Sequence, residues 1–224
     1  DKTSIFGGIV AANREIDLET AQMLKPIFLE IVMAPSFAPD ALELLCTKKN
    51  LRVLKVDMSK DNTVRKQYVS MNGGMLVQDR DINTKPVSAE QCVTEAKPTA
   101  EQLADLEFAW KIVKHVKSNA IVVAKNGMTY GVGAGQMNRI GSAEIALKQA
   151  QATLKEEGKD IMTEGLVLAS DGFFPFNDCV ALAAEYGIKA IVQPGGSIRD
   201  EDSVKLADEK GITMLFTGER HFKH

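Results

Sequence analysis

The sequence predicts an α/β fold built largely on parallel strands, and three observations carry that prediction. From residue 165 onward one unit recurs: a short apolar run, a polar or glycine-rich loop, and a helix-like run. Residues 1–56 show the same alternation of strand and helix signals, the rhythm of βαβ units. The 224 residues are 45% hydrophobic and 25% charged, an ordinary globular composition with enough apolar side chain for a sizeable core.

In order along the chain, residues 9–12 form a short apolar run after Gly7-Gly8. Asp17 caps a helix over residues 18–24 that ends near Pro26. Residues 28–34 read as a buried strand, and Asp40 caps a second helix running to about Thr47. Residues 51–56 alternate polar and apolar positions as a strand does. Residues 60–98 are less regular: 71–78 look like a turn feeding a strand, and the Asp/Asn/Lys/Pro-rich stretch after them reads as a connector. Thr99-Ala-Glu-Gln102 is a capping box opening a helix whose Leu103, Leu106, Trp110 and Val113 share one face. Residues 120–124 and 128–132 flank Asn126-Gly127, a strong hairpin signal. A helix follows Arg139 to about Glu157 and stops at Gly158. Strands at 166–170, 188–192 and 212–216 alternate with helices closing at Gly187 and spanning about 200–210. Two domains result, residues 1–98 and 99–224.

Several function classes are excluded on composition. A net charge of −3 and a pI of about 5.7 argue against a nucleic-acid binder, which needs a basic face. No apolar run approaches the roughly 20 residues that cross a bilayer. Cys46, Cys92 and Cys179 are dispersed and form no CxxC, so neither a disulfide framework nor a thiolate metal site is expected. The chain opens Asp-Lys-Thr-Ser, without a signal peptide or an initiating methionine, which suggests a piece of a longer cytoplasmic protein.

The most informative stretch is Asp171-Gly-Phe-Phe-Pro-Phe-Asn-Asp178, which holds three of the nine phenylalanines between an apolar run and a helix. Loops after buried strands are where open α/β sheets bind ligands. Three aromatics beside carboxylates suit a flat polar heterocycle; the alternative is that they pack into the core. Parallel strands send the loops after 170, 192 and 216 to one sheet edge, bringing Phe173, Asp178, Ser197, Arg220 and His224 to a common rim. Glycines 131, 133 and 135 match neither GxGxxG nor the Walker pattern, and they instead read as a turn that lets backbone approach a ligand or a neighbouring strand. Arg139 after them either holds an anion or pairs with a surface acid. Arg220 and His224 either hold a phosphate or belong to a frayed tail. Lys114-His115 reads as a solvated pair at a helix C-terminus rather than a catalytic base. No carboxylate pair stands out, and no HxE with PCxxC marks a zinc deaminase.

Residues 118–127 (SNAIVVAKNG), 131–139 (GVGAGQMNR) and 170–178 (SDGFFPFND) closely resemble the formyltransferase domain of the bifunctional AICAR transformylase/IMP cyclohydrolase family. Residues 4–8, 34–37, 193–197 and 220–224 fit in collinear order, so the resemblance runs end to end. It implies formyl transfer from 10-formyltetrahydrofolate to the 5-amino group of 5-aminoimidazole-4-carboxamide ribonucleotide (AICAR). It implies two zinc-free subdomains resembling the cytidine deaminase fold, the first incomplete at its N-terminus, in an intertwined homodimer, and it leaves open a monovalent cation. By position it implies that Arg220 holds the phosphate, His224 contacts substrate, and Asn119 and Arg139 lie near the carboxamide and reacting centre. Phe6 and Gly7 match a backbone contact to the imidazole. Phe173, Pro175, Phe176 and Asp178 match the pterin and imidazole surroundings, and Ile140 and Ser197 match folate-side positions. The family's catalytic Lys-His pair lies before the segment matching residues 4–8 and is not in this sequence; Lys114-His115 stands elsewhere. An upstream segment of the same protein is therefore an expected partner, and without it the chain is expected not to turn over.

Overall fold

Side chains that alternate in and out of a sheet decide how this chain layers. The computed structural model describes residues 4–57, 65–83 and 85–224. The chain divides into two compact units, residues 1–80 and 81–224.

In the first unit, strands β1 (Gly8–Ala11), β2 (Leu29–Ala34) and β3 (Arg52–Lys55) form a parallel sheet in that order. Helices α1 (Leu18–Leu24) and α2 (Pro39–Cys46) are the crossovers that parallel pairing requires. Asp17 caps α1 as expected, its carboxylate accepting from the Thr20 N–H at 2.8 Å. The second helix starts one residue before the expected cap. Pro39 takes the first helical position, where its missing N–H costs nothing, and Asp40 bonds instead to the Ala41 N–H. Ala21, Leu29, Val32, Ala41 and Leu45 close a small core. An antiparallel hairpin, β4 (Lys66–Met71) and β5 (Gly74–Asp79), ends the unit; only its second strand was legible. Part of the irregular stretch read over 60–98 lies outside the described residues.

The second unit is a five-stranded sheet of β6 (Ile121–Lys125), β7 (Met128–Gly133), β8 (Val167–Ser170), β9 (Ala190–Gln193) and β10 (Thr213–Phe216). Its order is β10-β9-β8-β6-β7. Strands β8, β9 and β10 run parallel, and β6 is antiparallel to both its neighbours. Asn126 and Gly127 turn the β6–β7 hairpin with φ of 51° and 67°, the left-handed pair an Asn-Gly turn supplies. Ile121, Val123, Leu168 and Ile191 face one core; Val122, Ala124, Val167, Ala169, Ala190 and Val192 face the other. Helix α3 (Ala100–Val113) covers the second face through Leu106, Ala109, Trp110 and Val113. Its capping box forms, Thr99 and Gln102 exchanging side-chain and backbone bonds. Helices α4 (Arg139–Glu156), α5 (Ile161–Glu164), α6 (Asp178–Glu185) and α7 (Asp200–Lys210) cover the first. The short α5 has no counterpart in the sequence reading.

The connector read as part of the first domain packs with the second unit instead. Val87 is buried against α3 and donates to Glu107 at 2.6 Å, the Val93 N–H bonds Met214, and the Thr94 hydroxyl accepts from the Met214 N–H. The units therefore part at Arg80/Asp81 rather than at residue 98.

Gly131 and Gly133 prove to admit a helix, not a ligand. A Cβ at either position would lie 1.9 Å from a backbone carbonyl of α4, that of Ala146 or of Ser142. Backbone cannot swing aside as a side chain can, so α4 lies this close to β7 only because both residues are glycine. Gly131→Ala is expected to destabilise the second unit by at least about 2 kcal/mol. Urea unfolding followed by the fluorescence of Trp110, the chain's one tryptophan, reports that unit selectively.

Candidate functional site

The carboxyl ends of β8, β9 and β10, the start of β6 and the N-terminus of α4 meet at one edge of the five-stranded sheet. Because β6 pairs with β8 so that Ile121 faces Ser170, residues 119 and 120 lie beside Asp171. Asp171 is fully buried. Its carboxylate accepts from the Ala120 N–H at 3.1 Å, from the Ser118 hydroxyl and from Nη1 of Arg139. The Asp171 N–H returns a bond to the Ala120 carbonyl, and its own carbonyl accepts from the His221 N–H at 3.0 Å.

Arg139 is itself 8% exposed. Beyond Asp171, its Nη1 donates to the Ser170 hydroxyl at 2.9 Å, and Nη2 donates to the Asn119 side-chain oxygen at 3.0 Å. The Asn119 amide nitrogen donates to the Gln136 carbonyl at 2.9 Å, which fixes the amide at both ends. Helix α4 places Arg139 here because Asn138 caps it, accepting from Gly141 at 2.8 Å. The acid that pairs with Arg139 is thus a buried aspartate, not the surface acid considered from sequence.

An open cleft of about 350 Å³ lies over this network, lined by Asn119, Met137, Asn138, Arg139, Phe173, Pro175 and Phe222. Gly172 makes room for it: a Cβ there would lie 2.4 Å from Nη2 of Arg139 and 2.8 Å from the Phe222 ring. The three loop phenylalanines divide between the two readings given them. Phe174 is fully buried in the core, Phe173 is half-buried in the cleft wall, and Phe176 is 51% exposed. The Arg220 guanidinium lies over Phe173 at 5.1 Å, and that of Arg199 over Phe176 at 5.1 Å.

The C-terminal strap is tied down rather than frayed. Ser118 and Lys223 exchange two bonds, Ser118 N–H to the Lys223 carbonyl and Lys223 N–H to the Ser118 hydroxyl. His224 packs its ring 5.9 Å from that of Phe222. Asp178 heads α6 and bonds the Cys179 N–H. Ser197 sits in the loop after β9, where the Asp200 carboxylate accepts from the Gly196 and Ser197 N–H groups. Ile140 is partly buried against the core. In the first unit, exposed Phe6 stacks near Phe28 at 5.0 Å, and the Gly7 N–H donates to the Phe28 carbonyl.

The structure therefore groups Asn119, Arg139, Phe173, Pro175, Arg220 and His224 around one cleft, with Phe222 as a wall the sequence reading passed over. Asp171, Ser118 and Ser170 were passed over too. The signal for Asp171 was an acid directly after a short, mostly apolar strand. Lys114 is not solvated: its side chain is 11% exposed and bonds Asp81 at 3.3 Å and the Asn83 carbonyl. His115 is held below the ordinary imidazole value by burial and by neighbouring Lys114. Among the described residues no group of three or more His, Cys, Asp or Glu side chains could hold a metal ion, and no helix is long and apolar enough to cross a membrane.

Removing one partner of a buried pair strands the other charge. Asp171→Ala is therefore expected to cost about 3–5 kcal/mol in urea unfolding, and Arg139→Met with Asp171 retained a similar amount. Burial pushes the Cys179 thiol up to about 12, so at pH 8 iodoacetamide is expected to label exposed Cys46 and spare Cys179. Mass mapping of the alkylated chain checks this.

The sequence profile of the AICARFT/IMPCHase bienzyme family matches residues 1–149. The bifunctional purine biosynthesis protein PurH of Anoxybacillus flavithermus is 58% identical over 224 residues, and that of Lactobacillus delbrueckii subsp. bulgaricus is 56% identical over 226. Each match takes in 100% of this chain, which spans 42% of the length of either relative. A solved diaminohydroxyphosphoribosylaminopyrimidine deaminase/5-amino-6-(5-phosphoribosylamino)uracil reductase from Thermotoga maritima overlaps 50% of this chain and 34% of its own, at 22% identity and a TM-score of 0.31. Sequence matched over this much of its length makes the chain a member of the AICARFT/IMPCHase bienzyme family.

Proposed function

We propose that this chain forms part of a formyltransferase site that passes a formyl group from 10-formyltetrahydrofolate to the 5-amino group of AICAR. The observation that carries this reading is the cleft itself. Flat apolar walls from Phe173, Pro175 and Phe222 stand beside a doubly anchored amide, with the Arg220 guanidinium lying over one wall. Such walls suit a heterocycle, and an arginine at the rim suits its phosphate. The Asn119 amide has one N–H left to direct at a carboxamide. Arg139 acts from behind, holding Asn119 and lending positive charge to a developing oxyanion.

The amine of AICAR is delocalised into its ring, so orientation and charge stabilisation must supply much of the rate. The cleft lining can do this but cannot accept the proton, because none of its side chains titrates near neutrality. His224, against Phe222, is the adjoining ring able to do so; the family's Lys-His pair, if it serves this site, comes from elsewhere. Phe176, Asp178, Ser197 and Ile140 form the folate side on this reading. A backbone contact from Phe6-Gly7 to the imidazole would not come from the Gly7 N–H, which is already bonded to the Phe28 carbonyl. The two units would then be the family's paired deaminase-like subdomains, working without zinc in a homodimer. The same non-titrating lining also favours a second reading, a nucleotide- and folate-binding module without turnover.

Calorimetry on this chain is expected to show AICAR binding, and Arg220→Ala to weaken it about ten- to a hundredfold. Binding of the phosphate-free nucleoside should be unchanged by that substitution. Formyl-AICAR production from AICAR and 10-formyltetrahydrofolate supports the transferase, and binding without production supports the module. Absence of binding by the wild-type chain would remove both.

A further inference from the structure

His221 lies between two residues of the cleft yet faces away from it. In the extended strap, successive side chains point to opposite sides: Arg220 reaches Phe173 and Phe222 walls the cleft, while His221 turns into the body of the unit. It is 3% exposed. Its ring packs on the Trp110 indole with centroids 4.6 Å apart, and Nδ1 meets the Asp81 carboxylate at 2.5 Å. On the backbone, its N–H bonds the Asp171 carbonyl, which joins the strap to the Arg139 network.

We propose that His221 is a positioning residue for the cleft: its imidazole, held by Trp110 and Asp81, seats the C-terminal strap so that Arg220 and Phe222 present a fixed wall to a phosphate-bearing ligand. Within the cleft those two side chains meet ring faces and the open Cα of Gly172. Arg220 is exposed and rests on ring faces, contacts that are weak and slide. The polar anchors of the strap are the residue between them, His221, and the Ser118–Lys223 exchange just beyond Phe222. The charged and titratable groups around His221 include Asp81 and Lys85 from the connector, Lys111 on α3, and Lys114 and His115 just after it. Burial alone would raise the Asp81 carboxyl, but its bonds and charge contacts with His221 and Lys114 outweigh that and hold it below the ordinary 3.8. A lowered carboxyl contributes above its ordinary value and is lost as pH falls through the folded one, so across the neutral range Asp81 is an ionised acceptor for the imidazole.

The role of the strap as ligand wall rests on the formyltransferase reading; its seating does not, and two measurements keep these apart. Hydrogen exchange on the unliganded chain is expected to show protected amides at residues 221 and 223. His221→Leu, which keeps the volume against Trp110 but loses the bond, should speed their exchange at least about tenfold. The same variant should weaken AICAR binding about tenfold while changing binding of the phosphate-free nucleoside much less. His221→Gln, which retains a donor for Asp81, should recover most of both losses. Asp81→Ala, at a partly exposed position and without an acceptor for the imidazole, reproduces the effect if His221→Leu fails to fold. Unchanged exchange and unchanged AICAR affinity in His221→Leu and Asp81→Ala would overturn the proposal, as would equal losses for nucleotide and nucleoside. If wild-type chain binds no AICAR, the ligand reading falls, and the exchange measurement alone decides the seating.

Discussion

The buried ion pair between Arg139 and Asp171 is the contact on which the rim depends. Five pieces of chain end at it: the N-terminus of α4, the start of β6, the end of β8, the aromatic loop, and the C-terminal strap through the His221 N–H. A buried pair is stable only when its remaining donors and acceptors are satisfied. Here a serine hydroxyl on each side, one backbone N–H and one amide oxygen do that. The cost of hiding two charges is met by ordering what surrounds them. That ordering is what turns five separate chain ends into one surface.

Two glycines make the pair geometrically attainable. Helix α4 can bring Arg139 over the sheet edge only if its axis lies against β7, and Gly131 and Gly133 are the places where its carbonyls enter the sheet's own volume. Gly172 plays the same part across the cleft, leaving space for the guanidinium and for Phe222. The polar centre therefore has no freedom of its own; it is located by contacts between backbones.

Much of this was legible in the sequence. The recurring strand–loop–helix units gave the parallel strands β8 to β10, and Asn126-Gly127 gave the hairpin, because period and turn chemistry are local properties. The common rim followed from strand direction. What was not legible depends on partners distant in the chain. Asp171 meets Arg139 and Ser118 only after β6 inserts antiparallel beside β8, and no spacing encodes that insertion. Lys114 looked solvated because its partner, Asp81, lies in a stretch that read as a linker. The glycines of β7 suggested close approach by a ligand or a strand, because nothing nearby reveals a helix returning across them.

The stretch from Val87 to Thr94 has a consequence beyond joining two units. Strand β10 ends one side of the sheet, and an unpaired strand edge is a template for pairing with another chain. Cys92 bridges to Leu215, and Val93 and Thr94 occupy the carbonyl and N–H of Met214. On the opposite edge, the Gln149 side chain of α4 takes the Val132 N–H at 2.9 Å. Both edges of the sheet are thus engaged by segments whose evident task lies elsewhere, one as linker and one as scaffold for Arg139. A lesion in either would do more than loosen a joint, because it would leave a bare edge where strands of separate molecules could zip together, and aggregation would compete with folding.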